Sequence, residues 1–121
     1  MKRYLIAVAL LLLPFSGPTL AQTGSTGSIA GTISDPTTAV VKGATITVKN
    51  NATNQEFNTT TTDNGTFNVP ALISGNYTVT IAATGFKTTV VPDVKVDVGA
   101  PSSVNITLEV GAPTETVQVV D

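Results

Sequence analysis

Residues able to do chemistry are few in this 121-residue chain, and their spacing is the first thing to weigh. Asp93 and Asp97 lie four residues apart on one face of an alternating segment, and paired carboxylates suit general acid–base work. A strand rises about 3.3 Å per residue, which separates the two by roughly 13 Å. Even inverting glycosidases hold their carboxyl groups only about 6.5–9.5 Å apart. Lys95 lies between them, so a solvated face is the better reading. Asp35, Asp63 and Asn64 offer oxygens to Ca²⁺, but such a site needs about 6–8 oxygens converging from one loop. No Asp-x-Asp-x-Asp spacing occurs, and Asp63-Asn64-Gly65 reads more simply as a turn. Lys49 and Asn105 could join as an isopeptide only by meeting beside a buried acid, and both fall in outward phase. A sugar site wants exposed rings; of Phe57, Phe67, Tyr77 and Phe86, only Phe57 is a plausible exposed ring. Five Asn-x-Thr sequons, at Asn51, Asn58, Asn64, Asn76 and Asn105, arise readily in a chain so rich in Asn and Thr.

Composition excludes more than the motifs suggest. The chain has no His, Cys or Trp, its one Met is the first residue, and its one Arg is Arg3. It therefore builds no His/Cys zinc site, no Ser-His-Asp triad and no thiol nucleophile. Catalytic, cofactor-binding and metal-binding residues are accordingly read as none, and the chain as non-enzymatic. Beyond residue 21, Lys42, Lys49, Lys87 and Lys95 face eight carboxylates, a net charge of −4. Phosphate contacts need clustered Lys or Arg, so nucleic acid is excluded as a partner.

The N-terminus has the order of a secretory signal peptide. Lys2 and Arg3 precede the apolar run Tyr4 to Phe15, Ser16-Gly17-Pro18 breaks it, and Thr19-Leu20-Ala21 ends on a small residue. Residues 1–21 are thus expected to be removed, with cleavage between Ala21 and Gln22. A membrane-spanning helix needs about 20 apolar residues, more than this run supplies. The mature chain is then expected to carry no transmembrane segment.

After a small, polar lead-in over residues 22–27, period-two alternation recurs between turn signals. Ile29, Gly31 and Ile33 share a phase, as do Ala44, Ile46 and Val48. Phe67 and Val69 follow Asp63-Asn64-Gly65, and Tyr77, Val79 and Ile81 alternate with Thr78, Thr80 and Ala82. Val94, Val96 and Val98 oppose Asp93, Lys95 and Asp97; Val104, Ile106, Leu108 and Val110 oppose Asn105, Thr107 and Glu109. No window has helical periodicity, and β-branched Thr and Val dominate. The expectation is an all-β fold: one antiparallel β-sandwich of about seven strands over residues 28–110, with 111–121 a final strand or tail. Within it, Asn64-Gly65 signals a two-residue hairpin, Pro70 ends a strand, and Gly43 and Gly75 admit positive φ after turns. Thr59 to Thr62 is a candidate exposed edge.

Two stretches carry a family pattern. One is Gly31-Thr32-Ile33-Ser34-Asp35 followed, after a loop, by Val41-Lys42-Gly43-Ala44-Thr45-Ile46-Thr47-Val48. The other is Gly65-Thr66-Phe67-Asn68-Val69-Pro70-Ala71-Leu72, then Gly75 to Ile81, then Gly85-Phe86. Together they resemble the carboxypeptidase regulatory-like domain, a transthyretin-like sandwich grouped with carbohydrate-binding-like folds. The form is similar to the domain that opens TonB-dependent outer-membrane receptors, and Leu108 to Ala112 with Glu115-Thr116-Val117 resembles the run into their plug. The resemblance implies an exported accessory or interaction module, in the periplasm or at the outer membrane. It implies an outer-membrane receptor or other cell-envelope protein as partner and no cofactor. A carbohydrate-binding module and a surface adhesin-type structural domain are the alternatives.

Overall fold

The computed structural model describes residues 26–119. The signal segment, the Ala21–Gln22 junction and residues 22–25 of the lead-in lie outside the described residues. Among the described residues nine strands follow one another: β1 (Thr26–Ser34), β2 (Thr45–Asn50), β3 (Glu56–Thr60), β4 (Thr66–Ile73), β5 (Gly75–Ala82), β6 (Thr88–Val96), β7 (Pro101–Ser103), β8 (Ile106–Thr107) and β9 (Thr116–Gln118). β1 begins at Thr26, so the last two residues of the expected lead-in are already strand, paired with Ile73 and Leu72 of β4.

One sheet has the order β4-β1-β7, with β8 also on β1; the other has the order β3-β2-β5-β6-β9. The two inner faces bury Ile29 and Ile33 of β1, Ile46 and Val48 of β2, and Phe67, Val69 and Leu72 of β4. Tyr77, Val79 and Ile81 of β5, with Ala44 just before β2 and Val91, Val96, Val104 and Leu108, complete the core. Burying one such aliphatic side chain contributes about 1.5–3 kcal/mol, and this contiguous set holds the sheets together. Tyr77 is wholly buried, and its hydroxyl donates to the carbonyl of Ile73 at 2.7 Å. Gly31 is required for packing: a Cβ there would collide with the carbonyl of Val104.

The sandwich is mixed rather than wholly antiparallel. β7 and β8 run parallel to β1, and β9 runs parallel to β6. These three short strands close the margins of the sheets, and they raise the number of strands above the expected seven. Alternation reports burial of a strand's faces and carries no information on the direction of its neighbour.

Two bulges change the phase that simple alternation predicts. In the first, Ser28 of β1 faces both Pro70 and Ala71, between the pairs Gly27–Leu72 and Ile29–Val69. β4 therefore runs through Pro70 instead of ending there: as an edge strand it can turn the missing N–H outward and absorb the extra residue. In the second, Thr78 of β5 faces both Pro92 and Asp93, between Tyr77–Val94 and Val79–Val91. The residue after each proline is left-handed, with φ 60° at Ala71 and 57° at Asp93. The second bulge moves the inward set of β6 from Thr89 and Val91 to Val94 and Val96. Val98, expected inward, falls beyond the strand and is 51% exposed; Val110 is likewise 70% exposed.

The Asn64-Gly65 turn also does something other than expected. It reverses the chain, with Gly65 at φ 74° and its N–H on the carbonyl of Thr62 at 2.9 Å. The strands it joins, β3 and β4, belong to opposite sheets, so it is a crossover and not a hairpin. The buried Thr61 hydroxyl anchors the crossover, donating to Val41 O at 2.7 Å and accepting from Ala44 N at 2.9 Å.

Candidate functional site

The structure disperses the residues that sequence reasoning grouped as chemistry. Asp93 occupies the left-handed position of the second bulge, whereas Asp97 lies past the end of β6, in a turn bridged to Ala100. They do not share a strand face. Asp93 accepts a long 3.4 Å hydrogen bond from the Asn51 side-chain amide. Lys49 lies on β2 opposite Glu56 and Thr78, while Asn105 belongs to the other sheet's margin, where its Oδ1 accepts from Thr32 N at 3.0 Å. No acid is buried among the described residues, so the two lack the third member of an isopeptide site.

Asp35 and Asp63-Asn64 come near each other without forming a cage. The turn carrying Asp63 packs beside Val40, and Ile33 N–H donates to Gly65 O at 2.8 Å. Asp35 spends one carboxylate oxygen locally, accepting from the Thr37 hydroxyl at 2.6 Å, Thr37 N at 2.8 Å and Ala39 N at 3.1 Å. The Thr37 hydroxyl is the main cause that holds this carboxyl below its ordinary value; slight burial opposes it, and the two backbone N–H groups assist. The group thus works as the staple of the 35–39 loop. Among the described residues no three His, Cys, Asp or Glu side chains gather where an ion could sit.

Phe57, read as the exposed ring, is half-buried and packs against the core from β3. Phe67 is buried and Phe86 half-buried, so no exposed aromatic platform occurs among the described residues.

Two surface features bear on function. One is a cleft of about 360 Å³ where the sheets part between β6 and the β7–β8 segment. Its floor is Val91, Val94, Val104, Ile106 and Val119; its rim is Asp93, Lys95, Ser102, Ser103 and Asn105. The Ser102 hydroxyl donates to the carbonyl of Lys95, a backbone acceptor that cannot activate it as a nucleophile. The other feature is β3, which with β9 is one of the two outer strands of the five-stranded sheet. Thr59 and Thr60 of the expected edge lie on it, whereas Thr61 turns inward and Thr62 enters the crossover.

These geometries fit what comparison with known proteins finds. Residues 28–109 match the family model of the carboxypeptidase regulatory-like domain. The chain belongs to this family. No curated protein matches the domain at significance, but solved structures do. It is similar to the Bacillus anthracis TIE protein, with a TM-score of 0.62 and 27% identity over 71% of this chain and 17% of that one. A putative carbohydrate binding protein from Bacteroides uniformis shares the fold at TM-score 0.55 and 22% identity, over 67% of this chain and 40% of that one. BcpA, the major pilin subunit of Bacillus cereus, does so at TM-score 0.55 and 18% identity, over 72% and 31%. This regulatory-like domain therefore spans well under half of each of those proteins. Sequence reasoning missed the cleft, because it forms where the bulged part of β6 meets the distant β7–β8 segment, and alternation does not report which segments meet. It found the β3 edge only as the threonine run at its end.

Proposed function

We propose that this chain is an exported, non-catalytic β-sandwich that serves as an accessory or interaction module of the cell envelope. Its closest role is that of the domain opening TonB-dependent outer-membrane receptors, and its partner is an outer-membrane receptor or neighbouring envelope protein. The observation that carries this reading is the disposition of its polar side chains. Asp35 and Ser102 are each held by a hydrogen bond, Lys49 and Asn105 lie on different sheets, and Asp93 and Asp97 do not share a strand face. Such a molecule works by presenting surfaces, and sheet edges provide backbone donors and acceptors in register. The family membership and the basic, apolar, small-residue order of residues 1–21 support the same reading.

Affinity capture tests it. The tagged protein, incubated with detergent-solubilised outer membranes, is expected to retain a β-barrel receptor identified by mass spectrometry. Equal recovery on a tagged, unrelated β-sandwich would count against the proposal. The carbohydrate alternative lacks support from the rings, since Phe57 is turned into the core.

A further inference from the structure

We infer that β3 pairs with β3 of a second copy of this chain, joining two five-stranded sheets edge to edge about a two-fold axis at Asn58. The inference goes beyond the envelope reading and does not depend on it. It begins from the ladder with β2. Asn50 N–H donates to Gln55 O at 2.8 Å, and Thr61 N–H to Ala44 O at 3.0 Å. The alternation of an antiparallel ladder then makes Val48–Phe57 and Ile46–Thr59 the bonded pairs. The N–H and C=O groups of Glu56, Asn58 and Thr60 consequently point away from β2, and among the described residues no strand lies beyond them.

Exposed edges are usually blunted by proline, bulges or brevity. The other edges here are: β4 carries Pro70 and the bulge at Ala71, β7 and β9 have three residues each, and β8 has two. β3 has five residues, no proline and no bulge.

The edge is also self-complementary. With the axis at Asn58, Asn58 faces the partner's Asn58 and Glu56 faces the partner's Thr60. All outward N–H groups of both copies then find carbonyls, and no like charges meet. A slip that brings Glu56 opposite the partner's Glu56 loses bonds and opposes two carboxylates. On the inner side Phe57, half-buried in the monomer, gains the partner's Thr59 as a cross-strand neighbour. Such a strip is much smaller than a standard interface of roughly 800 Å² per partner, so the dimer is weak and reversible.

Sedimentation equilibrium of the purified chain, over concentrations reaching about 1 mM, is expected to show a monomer–dimer equilibrium. Asn58→Pro removes an outward N–H that β2 does not use, together with the Oδ1 that accepts from the Thr47 hydroxyl of β2 at 2.9 Å, and is expected to abolish the dimer while circular dichroism still shows the sandwich folded. Thr60→Lys, placed opposite the partner's Glu56, is expected to tighten the dimer. Thr60→Glu is expected to loosen it. Each change acts at two symmetric pairs and is expected to shift the dissociation constant roughly 2- to 30-fold. The Thr60 variants leave every bond to β2 in place, so they test the register even if the proline variant unfolds. A monomer at all concentrations, or a dimer indifferent to both Thr60 substitutions, overturns the inference.

Discussion

Asp35 shows how a side chain that looks reactive is used instead to shape a loop. Its carboxylate accepts one hydroxyl and two backbone hydrogen bonds within four residues, which fixes the turn that returns the chain from β1 toward β2. All three donors favour the ionised form, so the folded-state pKa is depressed relative to the unfolded chain. The stabilisation is therefore present above the unfolded value, near 3.9, and is lost as pH falls through the lower folded value. Acid unfolding followed by circular dichroism is expected to show this as a loss of stability confined to pH below about 4. Asp35→Asn is expected to remove that part of the acid sensitivity, and an unchanged acid profile would refute the assignment. Nothing in the residue's local sequence separated this use from metal binding. Asp-x-Thr marks a turn and an oxygen ligand alike, and only the hydrogen bonds decide between them.

At the scale of elements, the two proline bulges govern which side chains face inward. Each places a non-glycine residue at positive φ, where an L-residue is strained by about 1–2 kcal/mol. Ala71 has no polar side chain to offset that strain, and it lies exposed on β4. Ala71→Gly is thus expected to be neutral or to raise stability by up to about 1 kcal/mol, after the entropy glycine loses on folding. A thermal melt checks it; a clear drop in midpoint would mean the bulge is held by something other than backbone geometry. The bulges also explain where the sequence could be read and where it could not. β2 and β5 alternate without interruption, so Ile46, Val48, Tyr77, Val79 and Ile81 were legible as core. β6 reverses its phase at Pro92-Asp93, which a period-two reading cannot see, so the inward Thr89 and Val91 before the bulge were not legible; Val98, in phase with Val94 and Val96, was misplaced because β6 ends at Val96. β3 has only Phe57 as a large apolar residue, because an edge strand buries little. The turn at Asn64-Gly65 was recognised, but a turn specifies reversal and not the sheet in which the next strand will lie.

Over the whole molecule, the sheets are completed by the last part of the chain. β7 and β8 lie beside β1, and Val104 and Leu108 fill the core between the sheets. Truncation after Val98 removes both strands and both core residues, and is expected to abolish the folded β signal. Truncation after Val110 removes only β9 and the residues around it, and is expected to leave a folded but less stable domain. Circular dichroism and urea titration of the two products distinguish these outcomes; a folded shorter product would show that β1 and β4 suffice. The adjacency of β1 to β7 and β8 also sets an order of events during synthesis. The earliest strand to emerge cannot be enclosed until residues through Thr107 have left the ribosome, and contacts so distant along the chain form slowly. Until then β1 has only β4 beside it, so the smaller sheet stays half-built for most of translation.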